Sequence, residues 1–280
     1  MGRKARGQRW RRRHWWALGG VTAAVTVTAA LVVALVEPAP GLATTGLYAE
    51  GVALASDGSV VTLAAGTTAV LHPGTRVIDD GTPASAALAD AQRAWLASGT
   101  VPGADGPYGD LVRTALLDIH TLVLADGAAV AGWSERWRYV WPRDASFVAV
   151  ALARTGHVDD ALEILHFLAD VQHADGTFEA RYLPDGSGPP DDRGTQTDGT
   201  GWVLWAAAEV TGAIEDPAAR AAAVTDLLPL VDRSADRTVA LVAGDGLPPA
   251  SPDYWEVAER KLTLGTVAPL LAGQAGADAV

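Results

Sequence analysis

Residues 158–173, VDDALEILHFLADVQH, carry the clearest helical pattern of the chain. Apolar side chains recur there at intervals of three and four residues, which predicts one broad apolar face of a helix. These side chains are Ala161, Leu162, Ile164, Leu165, Leu168 and Ala169. Asp159 and Asp160 fall in the first turn, where the helix dipole favours anions, and Gly176 marks the end. The segment therefore predicts an amphipathic helix that packs on a protein core.

Further helical patterns continue on both sides of this helix, from about residue 84 onward. The predicted helices are 84–98, 107–125, 144–155, 199–213, 217–235 and 253–272. The one at 199–213 is apolar nearly all round, which indicates burial on more than one side. Short turns alternate with long loops rich in Gly, Asp, Trp and Tyr, at 126–143, 174–198 and 243–253. This alternation predicts an all-α domain of helical hairpins over residues 84–280, in which the long loops build a site at one end.

Two segments of different character precede the predicted helices. Residues 47–83 contain short runs of β-forming residues that Gly and Asp interrupt at hairpin-like intervals. Residues 37–46, EPAPGLATTG, have the composition of a linker. We therefore expect a linker followed by a small β-rich segment.

The N-terminus has the pattern of a membrane anchor. Residues 1–14 hold seven basic side chains and no acidic one, and residues 15–36 contain no charge over 22 positions. That length crosses about 30 Å of hydrocarbon as a helix, and the basic flank favours a cytoplasmic N-terminus. A cleaved signal peptide is the alternative, although no clear Ala-x-Ala site precedes Glu37. The prediction is a single-pass protein of the cell membrane whose remaining chain is extracellular.

Charge and cysteine content exclude several classes of function. The net charge is −12, and beyond the basic head 14 basic residues stand against 33 acidic ones, a net charge of −19. Such a surface repels nucleic acid. The chain has no cysteine, which excludes a thiol nucleophile, and its six His lack metal-ligand spacing. We therefore predict no metal and no cofactor.

The loop before the predicted helix 144–155 is the first candidate site. Residues 133–144, WSERWRYVWPRD, contain three Trp and one Tyr, whose faces stack on pyranose rings. Beside Trp141, Arg143 supplies a donor fork and Asp144 a two-oxygen acceptor, which together fit adjacent sugar hydroxyls. The alternative is an aromatic core in which Asp144 is a helix N-cap.

Two later clusters repeat this combination of polar and aromatic residues. In residues 195–202, TQTDGTGW, Gln196 and Asp198 fit sugar hydroxyls, and Asp198 is equally suited to cap the following helix. In residues 252–257, PDYWEV, Glu256 follows Trp255. A carboxyl buried beside Trp stays protonated more readily than one in water, which suits a general acid. The alternative is a capping box at a helix start, with Asp253 as the cap and Glu256 three residues later.

Together, three such clusters on an acidic, exported, helical chain indicate a carbohydrate ligand. Their order resembles glycoside hydrolase family 15, the glucoamylases and their relatives. Residues 141–144 (WPRD) are similar to a family segment that holds the terminal glucose, and residues 196–199 (QTDG) to one at the start of a barrel helix. Residues 253–256 (DYWE) are similar to the segment that carries the general acid. Val257 departs from many fungal members, which have a second Glu there.

The resemblance implies an (α/α)6 barrel, of which this chain offers about half, and inverting release of terminal glucose from α-glucans or related α-glucosides. It implies Glu256 as general acid, with the substrate held by Trp141, Arg143, Asp144, Gln196, Asp198 and Trp255. No segment after Glu256 matches the family's catalytic base, so we expect a C-terminally incomplete enzyme with little or no activity in this chain. The alternative is a non-catalytic carbohydrate-binding remnant of the fold.

Overall fold

The structure of the protein, a computed structural model, describes residues 50–66, 68–254 and 256–277. Over these residues the helices are α1 (Pro83–Ser98), α2 (Gly109–Leu122), α3 (Pro142–Arg154), α4 (Val158–Val171), α5 (Thr197–Gly212), α6 (Pro217–Val242) and α7 (Leu264–Ala277). The strands are β1 (Gly51–Leu54), β2 (Val60–Leu63), β3 (Phe178–Glu179) and β4 (Thr195–Gln196). The predicted helix-rich fold is confirmed.

The basic head 1–14, the predicted membrane segment 15–36 and the linker 37–46 lie outside the described residues. Among the helices that the structure describes, none combines the length and the apolar character needed to cross a membrane. The membrane anchor therefore stays a prediction from the sequence.

Helices α3, α5 and α7 pack side by side, with α4 against α3 and α6 against α5. The contact between α5 and α7 is made by backbone atoms. A Cβ atom added at Gly201 of α5 would lie 2.4 Å from the carbonyl carbon of Pro269 in α7. In the reverse direction, a Cβ atom at Gly273 would lie 2.6 Å from the carbonyl oxygen of Gly201. Since no side chain fits there, glycine at these positions allows the two helices to touch.

The core lies between these helices and contains the apolar face predicted for α4. Ala161, Ile164, Leu165 and Leu168 are fully buried, and the predicted acidic first turn is present. Helix α5 is buried along most of its length and contacts α3, α4, α6 and α7. The prediction that this helix is covered on more than one side is confirmed.

Three predicted helix starts are wrong. Helix α3 begins at Pro142, which favours the first helical position because it has no N–H, so Asp144 lies in the first turn and is not the cap. Gln196 occupies the N-cap position of α5 without a capping hydrogen bond from its side chain, and Asp198 is a buried residue of the first turn. The final helix begins at Leu264, so Asp253 caps no helix.

The capping-box interpretation of residues 253–256 fails because long-range contacts hold the segment. Thr263 donates a hydrogen bond to Asp253 Oδ2 over 2.8 Å, and the Gln196 side chain donates to the Asp253 carbonyl oxygen over 3.3 Å. Glu256 has a φ of 54°, which no helix adopts. Tertiary contacts here outweigh a local sequence pattern.

The strands form two small antiparallel pairs. Strands β1 and β2 make a hairpin in which Gly51 lies opposite Leu63, and β1 packs on α2. Strands β3 and β4 join the two ends of the segment between α4 and α5, with Phe178 opposite Gln196. The second pair fixes Gln196 directly before α5.

The connections differ in length between the two ends of the helical hairpins. Residues 155–157 join α3 to α4 and residues 213–216 join α5 to α6. The connections that precede α3, α5 and α7 are longer, and all three candidate clusters fall within them or in the first helical turn that follows. Val140 and Tyr182 exchange two backbone hydrogen bonds, of 3.0 and 2.8 Å, which join the first long connection to the second.

Candidate active site

The structure brings together six of the seven residues that the sequence predicts for the site. Trp141, Arg143 and Asp144 surround the start of α3, and Gln196 and Asp198 surround the start of α5. Glu256 reaches the same place from the segment before α7, since the Trp141 indole N–H donates a hydrogen bond to its Oε1. The seventh residue, Trp255, lies outside the described residues.

Arg143 is the centre of a charged cluster between α3 and α5. Its Nη1 donates to Asp198 Oδ2 over 2.9 Å, and its Nε lies 3.5 Å from Asp144 Oδ2. The Asp198 side chain is only 2% exposed, so this is a nearly buried ion pair. Because the three side chains come from first helical turns, the packing of the two helices fixes their spacing.

Desolvation raises the pKa of both carboxyls, although 46% of the Asp144 side chain is exposed. Desolvation raises the pKa of Asp198, and Arg143 offsets part of that rise. Desolvation also raises the pKa of Asp144, again against the effect of Arg143, and the negative charge of Glu256 adds to the rise. Asp198 Oδ1 and Asp144 Oδ2 are buried and accept no hydrogen bond from any described residue.

Glu256 has both of its carboxylate oxygens engaged. Trp141 donates to Oε1 and Arg193 Nη1 donates to Oε2. Among the described residues other than glycine, Glu256 alone has a positive φ, of 54°. A residue with a Cβ atom holds this conformation at a cost of about 1 kcal/mol or more, so the surrounding contacts impose it.

Three charged residues of the long connection before α5 complete the site, and no sequence pattern predicts them. Arg181 lies over the ring of Tyr139 at 4.1 Å and over that of Trp141 at 5.4 Å, and it also pairs with Asp191. Arg193 Nε lies 3.1 Å from Asp191 Oδ2. Their partners Tyr139, Trp141 and Glu256 lie in other connections of the chain, so no local periodicity could reveal these contacts.

The aromatic residues divide into a buried and an exposed group. Trp141 is 5% exposed and packs under Arg181, whereas Trp137 is 48% exposed and its ring centre lies 5.8 Å from that of Trp141. Trp141 therefore orients Glu256, and Trp137 presents an aromatic face to the solvent.

A cavity of about 440 Å³ adjoins the charged cluster on the side of α2. Arg143 and Asp144 supply its charged groups, and the rest of its lining is apolar. Its volume falls within the range of small-molecule sites. Over the residues that the structure describes, no three His, Asp or Glu side chains are grouped as metal ligands. The charged cluster itself supplies carboxyls that can transfer protons and arginines that can donate hydrogen bonds.

Part of the chain is similar in sequence to a known protein. No protein-family model matches the chain. Over 98 residues, which are 34% of this chain, the sequence is 32% identical to an uncharacterized glycosyl hydrolase of Methanocaldococcus jannaschii, and the match covers 16% of that protein. The chain thus matches well under two thirds of its relative's length. This match supports a glycoside hydrolase and does not single out family 15.

Part of the chain is also similar to solved structures. Two glycosidase variants, one of them in complex with glucose, align with a TM-score of 0.49 and 22% identity. Each alignment covers 60% of this chain and 48% of the other.

Proposed function

We propose that this chain is a glycoside hydrolase of the glucoamylase type, in which Glu256 is the general acid. The observation that carries the proposal is the pair of buried carboxylate oxygens, Asp144 Oδ2 and Asp198 Oδ1, that accept no hydrogen bond from the described protein. They flank Arg143, and Glu256 accepts a hydrogen bond from Trp141, two residues before Arg143. Buried acceptors of this kind are satisfied by ligand hydroxyls.

A terminal glucose residue fits this arrangement of donors and acceptors. Vicinal hydroxyls would donate to Asp144 and Asp198 and accept from the Arg143 guanidinium, which has N–H groups to spare. Trp137 would supply an aromatic face for the C–H side of a sugar ring. Gln196 is committed to the backbone of Asp253, so we assign it the task of fixing the segment that carries Glu256.

The proposed reaction is hydrolysis with inversion of a terminal α-glucosidic bond. Glu256 protonates the glycosidic oxygen as the bond to the anomeric carbon breaks, and water bonds to that carbon from the opposite face. The water transfers its proton to a second carboxylate, which inverting enzymes hold about 6.5–9.5 Å from the acid. That second carboxylate is assigned to none of the described residues.

The test compares two substrates in the longest natural form of the protein that carries Glu256 and in its Glu256→Gln variant. The leaving group of a maltooligosaccharide is a sugar alcohol, which departs only after it receives a proton. The leaving group of 4-nitrophenyl α-glucoside is 4-nitrophenolate, a stable anion that departs without receiving a proton. We expect Glu256→Gln to reduce release of glucose from maltotriose by about 10²–10⁴-fold and to change cleavage of the nitrophenyl substrate much less. Equal activity of the variant on maltotriose would overturn the assignment.

Calorimetry separates a hydrolase from a protein that only binds sugar. We expect Asp144→Asn to weaken binding of maltotriose, since it removes an acceptor of sugar hydroxyls. Binding without hydrolysis of either substrate would favour the non-catalytic alternative, and no binding would contradict a saccharide site.

We further propose that residues 15–36 anchor the protein in the cell membrane, with residues 1–14 cytoplasmic and the helical part extracellular. The support is the uncharged stretch of 22 residues behind seven basic side chains. Extraction with alkaline carbonate should leave the protein in the membrane fraction, and protease added to intact cells should cleave the helical part. Release by carbonate would contradict the anchor.

A further inference from the structure

Trp95 joins two separate hydrophobic cores of the molecule. The main core lies between α3, α4, α5 and α6, and a second, small core is formed by Leu54, Val77 and Ala89. Helix α1 supplies Ala89 to the small core, and of the α1 residues Trp95 alone packs against the main core. The attachment of α1 to the main core therefore depends on this indole ring.

Two imidazole rings contact the ring of Trp95. His157, from the short connection between α3 and α4, is stacked on it, with ring centres 3.9 Å apart and planes inclined by 13°. His120 of α2 lies at 4.1 Å and is tilted by 44°. Trp95 Nε1 also donates a hydrogen bond of 2.8 Å to Asp160 Oδ2 in α4. These four side chains form the His–Trp junction, which ties α1 to α2 and to the hairpin of α3 and α4.

The surroundings of His157 suit a neutral ring and oppose a charged one. The residue is 4% exposed, and its Nε2 is buried without a hydrogen-bond partner among the described residues. The same atom lies against Gly99, where an added Cβ atom would be 2.5 Å from it. A neutral imidazole can leave Nε2 as an unused acceptor, whereas a protonated one carries N–H groups on both nitrogens. Burial of such an N–H without an acceptor costs free energy, so protonation opposes the closed junction.

Burial acts on both imidazoles in the same direction. Desolvation lowers the pKa of His120, and the charge of a protonated His157 lowers it further, against the opposing effect of Asp160. Desolvation also lowers the pKa of His157, again against Asp160. Glu163 is the other carboxylate that lines the cavity of about 340 Å³ beside His120 and Asp160. Because both rings bind protons more weakly in the closed junction than in water, the junction loses stability as the pH falls below about 6.5, the ordinary pKa of histidine.

We propose that the His–Trp junction is an acid-sensitive contact: below about pH 6, protonation of His120 and His157 releases α1 from the main core while the helical hairpins stay folded. Apart from Trp95, α1 packs on the small core, so its release leaves the main core intact. The junction lies at the end of the hairpins that has the short connections, whereas the candidate active site lies among the long ones. The inference is therefore independent of the proposed function.

Hydrogen exchange of the full-length chain, followed by mass spectrometry, tests this proposal. The protection of the backbone amides in α1, α4 and α5 is compared between neutral pH and about pH 5, after correction for the intrinsic effect of pH on exchange. A histidine that stays neutral in the closed junction and regains its ordinary pKa on opening increases opening by up to about 30-fold at that pH. We expect protection in α1 to fall by about 10-fold or more, and protection in α4 and α5 to stay unchanged.

Two substitutions remove the imidazoles and keep their contacts. His157→Phe retains an aromatic ring in the stack, and His120→Asn retains an acceptor for the Gln92 amide, which lies 3.2 Å from His120 Nδ1. The double variant should lose the pH response of α1. His120→Asn alone, which spares the tightly packed residue 157, should reduce it. His166→Asn is the matched control, because His166 has a side chain that is 40% exposed and pairs with Asp226 at 2.8 Å, and it should respond like the wild type.

A loss of protection that is confined to α1 in the wild type, reduced in His120→Asn and retained in His166→Asn would support the proposal. Unchanged protection of α1 in the wild type would overturn it. An equal loss in α1, α4 and α5 would also overturn it, because acid would then unfold the whole chain. A full response in His120→Asn would assign the acid sensitivity to other groups and would contradict the role of the junction.

Discussion

The two halves of the site are held in contrasting ways. Arg143, Asp144 and Asp198 lie in the first turns of α3 and α5, where helix packing fixes them. Glu256 lies in an irregular segment, has a positive φ, and is held by side-chain contacts. Helix packing thus holds the groups proposed to bind sugar, the rigid half of the site, whereas side-chain contacts hold the group proposed to move a proton, the irregular half.

The largest effect is expected from disturbing the rigid half. Gly201→Ala places a Cβ atom 2.4 Å from the carbonyl carbon of Pro269, and a backbone neighbour cannot rotate away. We expect a loss of about 3 kcal/mol in the free energy of unfolding, measured by urea denaturation. The separation of α5 and α7 that this substitution forces should also weaken maltotriose binding.

Gly212→Ala is the control for this prediction. Gly212 ends the same helix, and a Cβ atom there meets no heavy atom within 4 Å. The same chemical change should therefore leave the stability within about 1 kcal/mol of the wild type, on the stabilising side, because alanine favours a helix. Equal losses in the two variants would show that close packing is not the cause.

The sequence predicts the rigid half well, because its signals are local. The apolar periodicity of α4 and the continuous apolar composition of α5 each predict the observed burial. The helix starts were less predictable: an acidic residue near a helix start suits a cap or the first turn, and only the structure separates the two. Asp144 and Asp198 both proved to be first-turn residues.

The irregular half, the segment that carries Glu256, is predictable from the sequence only in part. The cluster at 253–256 was identified as a candidate, yet its predicted helix is absent because Asp253 pairs with Thr263 and Gln196 instead. Arg193 was missed altogether. It lies in a polar connection without periodicity, and its partner Glu256 comes from a different connection, so chain folding alone brings them together.

A smaller effect on stability is expected from changing the backbone preference at residue 256, in the irregular half. Glu256→Ala and Glu256→Gly remove the same ion pair and the same hydrogen bond, and they differ only in the Cβ atom. Since φ is 54° at this position, the glycine variant should be more stable than the alanine variant by about 1 kcal/mol. Urea unfolding of the two proteins measures the difference. If alanine were the more stable of the two, residue 256 would not be held in the left-handed conformation.

The smallest effect concerns the charge of the rigid half and is read from the pH dependence of stability. Burial raises the pKa of Asp198 above its usual value of 3.8. A carboxyl whose pKa is higher in the folded than in the unfolded chain contributes stability at pH values below its pKa in the unfolded chain. This contribution is lost as the pH rises through its pKa in the folded chain.

Asp198→Asn cannot lose a proton, and its amide oxygen can still accept a hydrogen bond from Arg143. The variant should therefore gain stability relative to the wild type as the pH rises from below 3.8 towards neutrality, in urea unfolding at constant ionic strength. The opposite trend would mean that the ion pair with Arg143 outweighs the cost of burial, and that Asp198 meets the sugar hydroxyl as a stable carboxylate.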